Sequence, residues 1–84
     1  MKYIIEEYLK NFKIDDILTF AKKNNINISI NDANTLYTYA KNNYQDFLNG
    51  NDSKLIKEIK EKIDPNTFKE AYKIYLEYKI KYLQ

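Results

Sequence analysis

A single glycine and a single proline serve the whole of an 84-residue chain. Glycine supplies left-handed backbone for tight turns and proline presets their first dihedral. A chain with one of each is poorly equipped to close the many hairpins of a β-sandwich or barrel. Helices joined by short connections are what remains. The length fits one helical domain, residues 1–84. A domain of this size buries only about 60–65% of its unfolded surface, so its stability margin is narrow and self-association is a natural remedy.

The residues that are missing close off several chemistries. Without cysteine there is no disulfide, no thiolate nucleophile and no thiolate metal site. Without histidine no side chain has an unperturbed pKa near neutrality, so acid–base catalysis would need a strongly shifted carboxylate, lysine or tyrosine. All 14 basic residues are lysine, which meets phosphate as a point charge and lacks the bidentate fork of arginine. The neighbouring carboxylates Glu6-Glu7 and Asp15-Asp16 diverge by about 100° on a helix and do not converge on a metal or substrate. The run "NGNDS", Asn49 to Ser53, lacks the alternating ligands of a calcium loop. With Gly50 the sole glycine there is no phosphate-cradling loop. The expectation is a protein that is not an enzyme, holds no cofactor or metal and has no small-molecule substrate. Glu6 and Glu7 also interrupt the apolar run a signal peptide needs, and no stretch reaches membrane-spanning length, so a soluble, cytoplasmic chain is expected.

Along the chain, Ile5, Tyr8, Leu9 and Phe12 fall at helical spacing in a first helix from Lys2 to Asn11. A second helix follows in "KIDDILTFAKKNN", with Asp15 expected as its cap, Asp16 at the positive dipole end and Ile17, Leu18 and Ala21 inward. "INISI", Ile26 to Ile30, alternates apolar and polar residues with the period of a strand. A lone strand has no partner within a monomer, so it is read as an extended connector that tucks its isoleucines into the core. Pairing across a dimer is the alternative. Asn31 or Asp32 is expected to cap a third helix through Leu36 and Ala40 to Asn42.

"YQDFLNG" gives Tyr44, Phe47 and Leu48 as a short apolar turn, closed by Gly50 in a left-handed helix end. A fourth helix, capped by Asp52 or Ser53, puts Leu55, Ile56, Ile59 and Ile63 on one side, with Glu58 and Lys62 at a favourable four-residue spacing on the other. In "IDPNTF" Asp64 is the cap, Pro65 takes the first helical position and Ile63 can staple onto Phe68. The last helix then runs to the end of the chain. The fold class is therefore all-α, about five short helices in a compact irregular bundle with an extended connector at 26–30. Its expected core is Ile5, Leu9, Phe12, Leu18, Ala21, Ile28, Leu36, Ala40, Leu55, Ile59, Phe68, Tyr72, Tyr75 and Leu76.

The terminal segment "KEAYKIYLEYKIKYLQ" interleaves tyrosine with lysine. A nucleic-acid stacking platform needs aromatics and cations on one exposed face. At about 100° per residue Tyr72, Tyr75, Tyr78 and Tyr82 gather with Phe68, Ala71, Leu76 and Leu83 in one arc interrupted only by Lys79, opposite a mixture of Lys and Glu. The stripe is read as core or as an oligomer seam. Lys79, amid the aromatics, can snorkel to water or meet an acidic partner. Tyrosine–lysine pairs such as Tyr75–Lys79 could depress a phenol pKa, but no pocket is read around them. Ile74 and Ile80 lie outside the arc, which suggests a second contact surface. The leading reading is a protein–protein interaction module, a homodimer or bound to a larger partner, with Ile74, Tyr78, Ile80 and Tyr82 as its candidate face. The alternative is a weak nucleic-acid-binding domain using Lys41, Lys69, Lys73 and Lys81. A phage- or plasmid-type inhibitor of a host factor shares the features of the first reading.

Two resemblances bear on this. "IDDILTFAKKNNINISINDANTLYTYAK", Ile14 to Lys41, loosely resembles the DNA-binding SAP and related helix–extension–helix modules. It departs from them in having no glycine in the extension and only Lys41 as a cation on the third helix. Charges over residues 1–50 also balance to zero, which makes binding driven by counterion release weak. More broadly, the order "ILTFAKKNNINIS", "DANTLYTYAK", "LIKEIKEKIDPNTFKEAYKIYLEY", about Ile14 to Tyr78, resembles the small uncharacterised YqfT-like family of bacterial helical proteins. That resemblance implies a compact cytoplasmic α-domain and brings no activity, cofactor or catalytic residue with it.

Overall fold

The structure is a computed structural model, and it describes the backbone of residues 2–82 and the side chains of residues 6–8 and 10–81. It contains α1 (Lys2–Asn11), α2 (Ile14–Lys23), α3 (Ile30–Asn42), α4 (Tyr44–Leu48), α5 (Ser53–Lys62) and α6 (Pro65–Tyr82), with no strand among the described residues. The fold is all-α, as the glycine and proline count implies. Among the described residues there are six helices where about five are expected, because Tyr44–Leu48 forms a short helix of its own and buries Leu48.

Local chemistry sets the helix ends. At the end of α2 the amide of Ile26 donates to the Ala21 carbonyl at 2.8 Å and that of Asn25 to the Lys22 carbonyl at 3.2 Å. Asn25 sits at φ +57° between them. This is a Schellman stop, with buried Ile26 as its apolar companion to Ala21. α4 ends the same way. Asn51 donates to the Asp46 carbonyl at 2.9 Å, and Gly50, at φ +79°, occupies the left-handed position expected of it.

The starts of α2 and α3 differ from expectation. Lys13 precedes α2, and Asp16 rather than Asp15 accepts its amide, at 2.7 Å. α3 begins at Ile30, because Ser29 Oγ accepts the Asp32 amide at 3.0 Å. The connector therefore ends at Ser29. Ile26 is buried and Ile28 half-buried, but Ile30 is 71% exposed, so it does not enter the core. Neither Asn31 nor Asp32, the two expected caps, takes the cap position of α3, and the Asp32 carboxylate instead accepts the Asp64 amide at 3.1 Å, which ties α3 to the start of α6. Asp64 caps α6 as expected, accepting the Thr67 amide at 3.0 Å, with Pro65 in the first turn.

α3 is the central element, approached by α1, α2, α4 and α5, whereas the closest backbone approach of α6 is to α5. The buried apolar side chains are modest: Phe12, Ala21, Ile26, Ala33, Leu48, Ile59 and Ile63, and no large side chain is wholly enclosed among the described residues. Of the expected core, Phe12, Ala21 and Ile59 are buried, and most of the others are half-buried. Leu76 is exposed and is not core. The side chains of Ile5 and Leu9 lie outside the described residues.

Candidate functional site

The aromatic residues of α6 turn inward as their spacing demands, but they do not meet a solid core. They roof a cleft of about 330 Å³. Its floor and walls come from every helix and from the connector, among them Phe12, Phe20, Leu36, Phe47 and Ile59. The roof is an aromatic ladder. The Phe68 and Tyr72 rings lie 5.3 Å apart, the Tyr72 and Tyr75 rings 6.3 Å apart, and Phe47 meets Tyr75 edge-on at 6.1 Å. Such large rings hold α6 away from the centre of the bundle, and the space beneath it follows.

The cleft reaches solvent between α1 and α6. Tyr8 is 59% exposed and Tyr78 is 46% exposed, and both line it. Phe20 packs its ring 5.8 Å from that of Tyr78. Burial, the charge of Asp16 and the neighbouring Tyr78 together push the Tyr8 phenol above its ordinary pKa of 10.0. Asp16 is thus an anionic wall beside an otherwise apolar space. If the space were enclosed and empty, it would cost on the order of 8 kcal/mol at ~24 cal/mol per Å³. That is comparable to the whole stability of a small domain, about 5–15 kcal/mol.

Tyr75 also belongs to a second, partly buried polar constellation on the same helix. Asp52 is at the N-cap position of α5, but its carboxylate does not cap the helix. It accepts the Tyr75 hydroxyl and, at 3.1 Å and 3.3 Å, the Lys79 ammonium. That ammonium also sits 5.8 Å from the centre of the Tyr75 ring. Burial pushes the Asp52 carboxyl up, but the hydrogen bonds from Tyr75 and Lys79 outweigh it and hold the group below its ordinary 3.8. The Tyr75 phenol is driven well above 10.0, by burial first and then by its bond to anionic Asp52. Lys79 therefore does not depress this phenol, because burial and the carboxylate between the two both act in the opposite direction. With its donors and acceptors matched, the group acts as a clasp between α5 and α6. A proton-holding, hydrogen-bonded Tyr75 is a poor nucleophile or base.

The sequence-predicted site residues are scattered by the structure. Tyr78 is at the cleft mouth, Ile74 is half-buried and Ile80 is 66% exposed on a different side of α6. The Tyr82 side chain lies outside the described residues. At about 100° per residue Ile80 stands roughly 160° from Tyr78, so these residues do not share one face. Ile80 instead shares an outer strip with Leu76, one turn earlier and also exposed. Of the lysines, Lys41 donates to the backbone carbonyl of Lys10 at the end of α1. Lys69 and Lys73 lie one turn apart on exposed α6, with Lys81 about 80° further round from Lys73. The cleft and the Asp52 clasp were not read from the sequence. The one signal pointing toward the clasp was Lys79 on an apolar face, which demands water or a counter-charge.

Among the described residues no helix is long and apolar enough to cross a membrane, and no group of three or more metal-ligating side chains comes together. No curated protein and no solved structure matches the chain. A family model matches residues 1–79, a span that includes all six helix starts and nearly all of α6. The chain therefore belongs to the family described as "Protein of unknown function (DUF2624)".

Proposed function

We propose that this chain is a small non-enzymatic interaction module that self-associates through the outer strip of α6. The observation that carries this reading is the pairing of Leu76 and Ile80, one helical turn apart, both exposed on the longest helix of the domain. Aliphatic side chains at this spacing form the seam along which two helices pack. A two-fold arrangement lets the same strip serve both protomers. The added burial supports a domain whose own core is partly hollow. Lys69 and Lys73, seven residues before Leu76 and Ile80, continue the same strip toward the start of α6, so the apolar seam is confined to its second half.

Sedimentation velocity over a wide concentration range tests this. The wild-type chain is expected to pass from monomer to dimer, and Ile80→Glu to stay monomeric with an unchanged helical circular dichroism spectrum. A wild-type chain that stays monomeric throughout, or an Ile80→Glu dimer as tight as wild type, overturns the reading.

A further inference from the structure

We propose that the cleft beneath α6 binds an uncharged, largely apolar molecule of about a dozen carbon atoms, and that Asp16 in its wall selects against anionic amphiphiles. The proposal does not rest on self-association, which uses Leu76 and Ile80, neither of which lines the cleft.

Size comes first. A dry apolar cavity of about 150 Å³ takes up benzene, with its six carbons. The space here, about 330 Å³, is a little more than twice as large. It also falls within the range of small-molecule sites, roughly 300–1,000 Å³.

The chemistry of the wall decides the ligand class. Water is held in a cavity only where two to four polar partners await it, and this lining offers almost none. Ile17, Ile28, Ile56 and Ala71 present carbon to the space, and so do the rings of Phe68 and Tyr72. The Tyr75 hydroxyl is already given to Asp52. No buried side-chain nitrogen or oxygen among the described residues lacks a partner. Nothing inside the cleft therefore calls for a polar or charged guest.

Polarity is found at Asp16 and at the mouth, beside Tyr8 and Tyr78. One oxygen of Asp16 accepts the Lys13 amide and fixes the carboxylate in place. A ligand carboxylate arriving here meets a like charge on half-buried Asp16, against apolar walls that screen the repulsion less than bulk water does. A hydroxyl can instead donate to Asp16.

The probes are decan-1-ol and decanoate, which share a chain and differ in head group. Each is titrated into the full chain, and the methyl resonances of Ala21, Ala40 and Ala71, all cleft-lining, are followed by NMR. Decan-1-ol is expected to shift them saturably, and decanoate to bind about tenfold more weakly owing to the like charge. Asp16→Asn keeps the oxygen that accepts the Lys13 amide and should erase that difference. Ala71→Leu, which places a larger side chain in the space, should abolish decan-1-ol binding while raising the melting temperature; Ala40→Leu serves the same purpose from α3. Absence of shifts up to the solubility of the alcohol, or shifts that persist in both filled variants, overturns the site. Equal binding of the two probes to the wild-type chain overturns the role of Asp16.

Discussion

The Lys79 ammonium lies 3.1 Å from a carboxylate oxygen of Asp52, 27 residues earlier in the chain, and only 7% of the Asp52 side chain is exposed. The contact joins the start of α5 to the second half of α6, whose inward face is mostly occupied by the roof of a cleft. Losing Asp52 leaves both the Tyr75 hydroxyl and the half-buried Lys79 ammonium without their shared acceptor, whereas losing Lys79 leaves Asp52 with one donor. Asp52→Ala is therefore expected to lower the unfolding free energy by about 2–3 kcal/mol. Lys79→Met should cost only about 1 kcal/mol, since Asp52 keeps the Tyr75 hydroxyl. The exposed Lys10–Glu7 pair, at 3.9 Å, is the control, and Lys10→Ala should change stability by less than about 0.5 kcal/mol. Urea titrations of the three variants give all of these values.

The same clasp sets two limits in pH. Asp52 titrates below its ordinary 3.8 in the folded chain, so its contribution is complete above that value and is lost as pH falls through the lowered folded pKa. Tyr75 titrates above 10.0, so its contribution is complete below that value and is lost as pH rises beyond it. Urea midpoints measured from acid to alkaline pH should form a plateau between these limits. Asp52→Asn should flatten the acid limb. Tyr75→Phe should lower the plateau and make the alkaline limb shallower, and an alkaline limb unchanged by that substitution contradicts the assignment.

How legible this was differs by element. The stop at Gly50 and the start at Asp64-Pro65 were plain, because few residue types suit those backbone positions. Ser29, Asn31 and Asp32 all suit a helix start, and the choice of Ser29 was settled by Asp32 reaching across to the Asp64 amide, a contact 32 residues apart in sequence. Glu58 and Lys62 matched a helical ion pair in spacing. Yet Glu58 accepts the Tyr39 hydroxyl at 3.3 Å, and the Lys62 ammonium stands 5.2 Å from the centre of the Tyr39 ring. The cleft was invisible for a general reason: periodicity tells which face of a helix turns inward, not how far Phe68, Tyr72 and Tyr75 hold it from the helices opposite.

Two left-handed residues invite a comparison of backbone cost alone. A β-carbon added at Gly50 would meet nothing within 4 Å, so Gly50→Ala should show only the conformational penalty, about 1 kcal/mol. Asn25 occupies the equivalent position after α2 and tolerates it through its short polar side chain. Asn25→Gly is expected to be neutral or slightly stabilising, and Asn25→Val to cost about 1–2 kcal/mol. Thermal melts of the three variants give the order. If Asn25→Val proves neutral, the Schellman stop is not holding the end of α2.

Thr67 tests how the start of α6 is anchored. Its side chain is buried, and its hydroxyl donates to the Asn27 carbonyl in the connector at 3.2 Å. Its own amide donates to the Asp64 carboxylate. Replacing threonine with valine keeps the shape and removes the hydroxyl, leaving the Asn27 carbonyl without that donor. The expected loss is about 1–2 kcal/mol. Thr67→Ser restores the donor and should recover most of it, apart from the cost of a missing methyl group. The distinguishing measurement is hydrogen exchange. The Phe68 amide, bonded to the Asp64 carbonyl at 2.8 Å, should exchange faster in Thr67→Val than in Thr67→Ser. Equal rates would mean that the Asp64 cap alone holds this end of α6, with the connector resting against it passively.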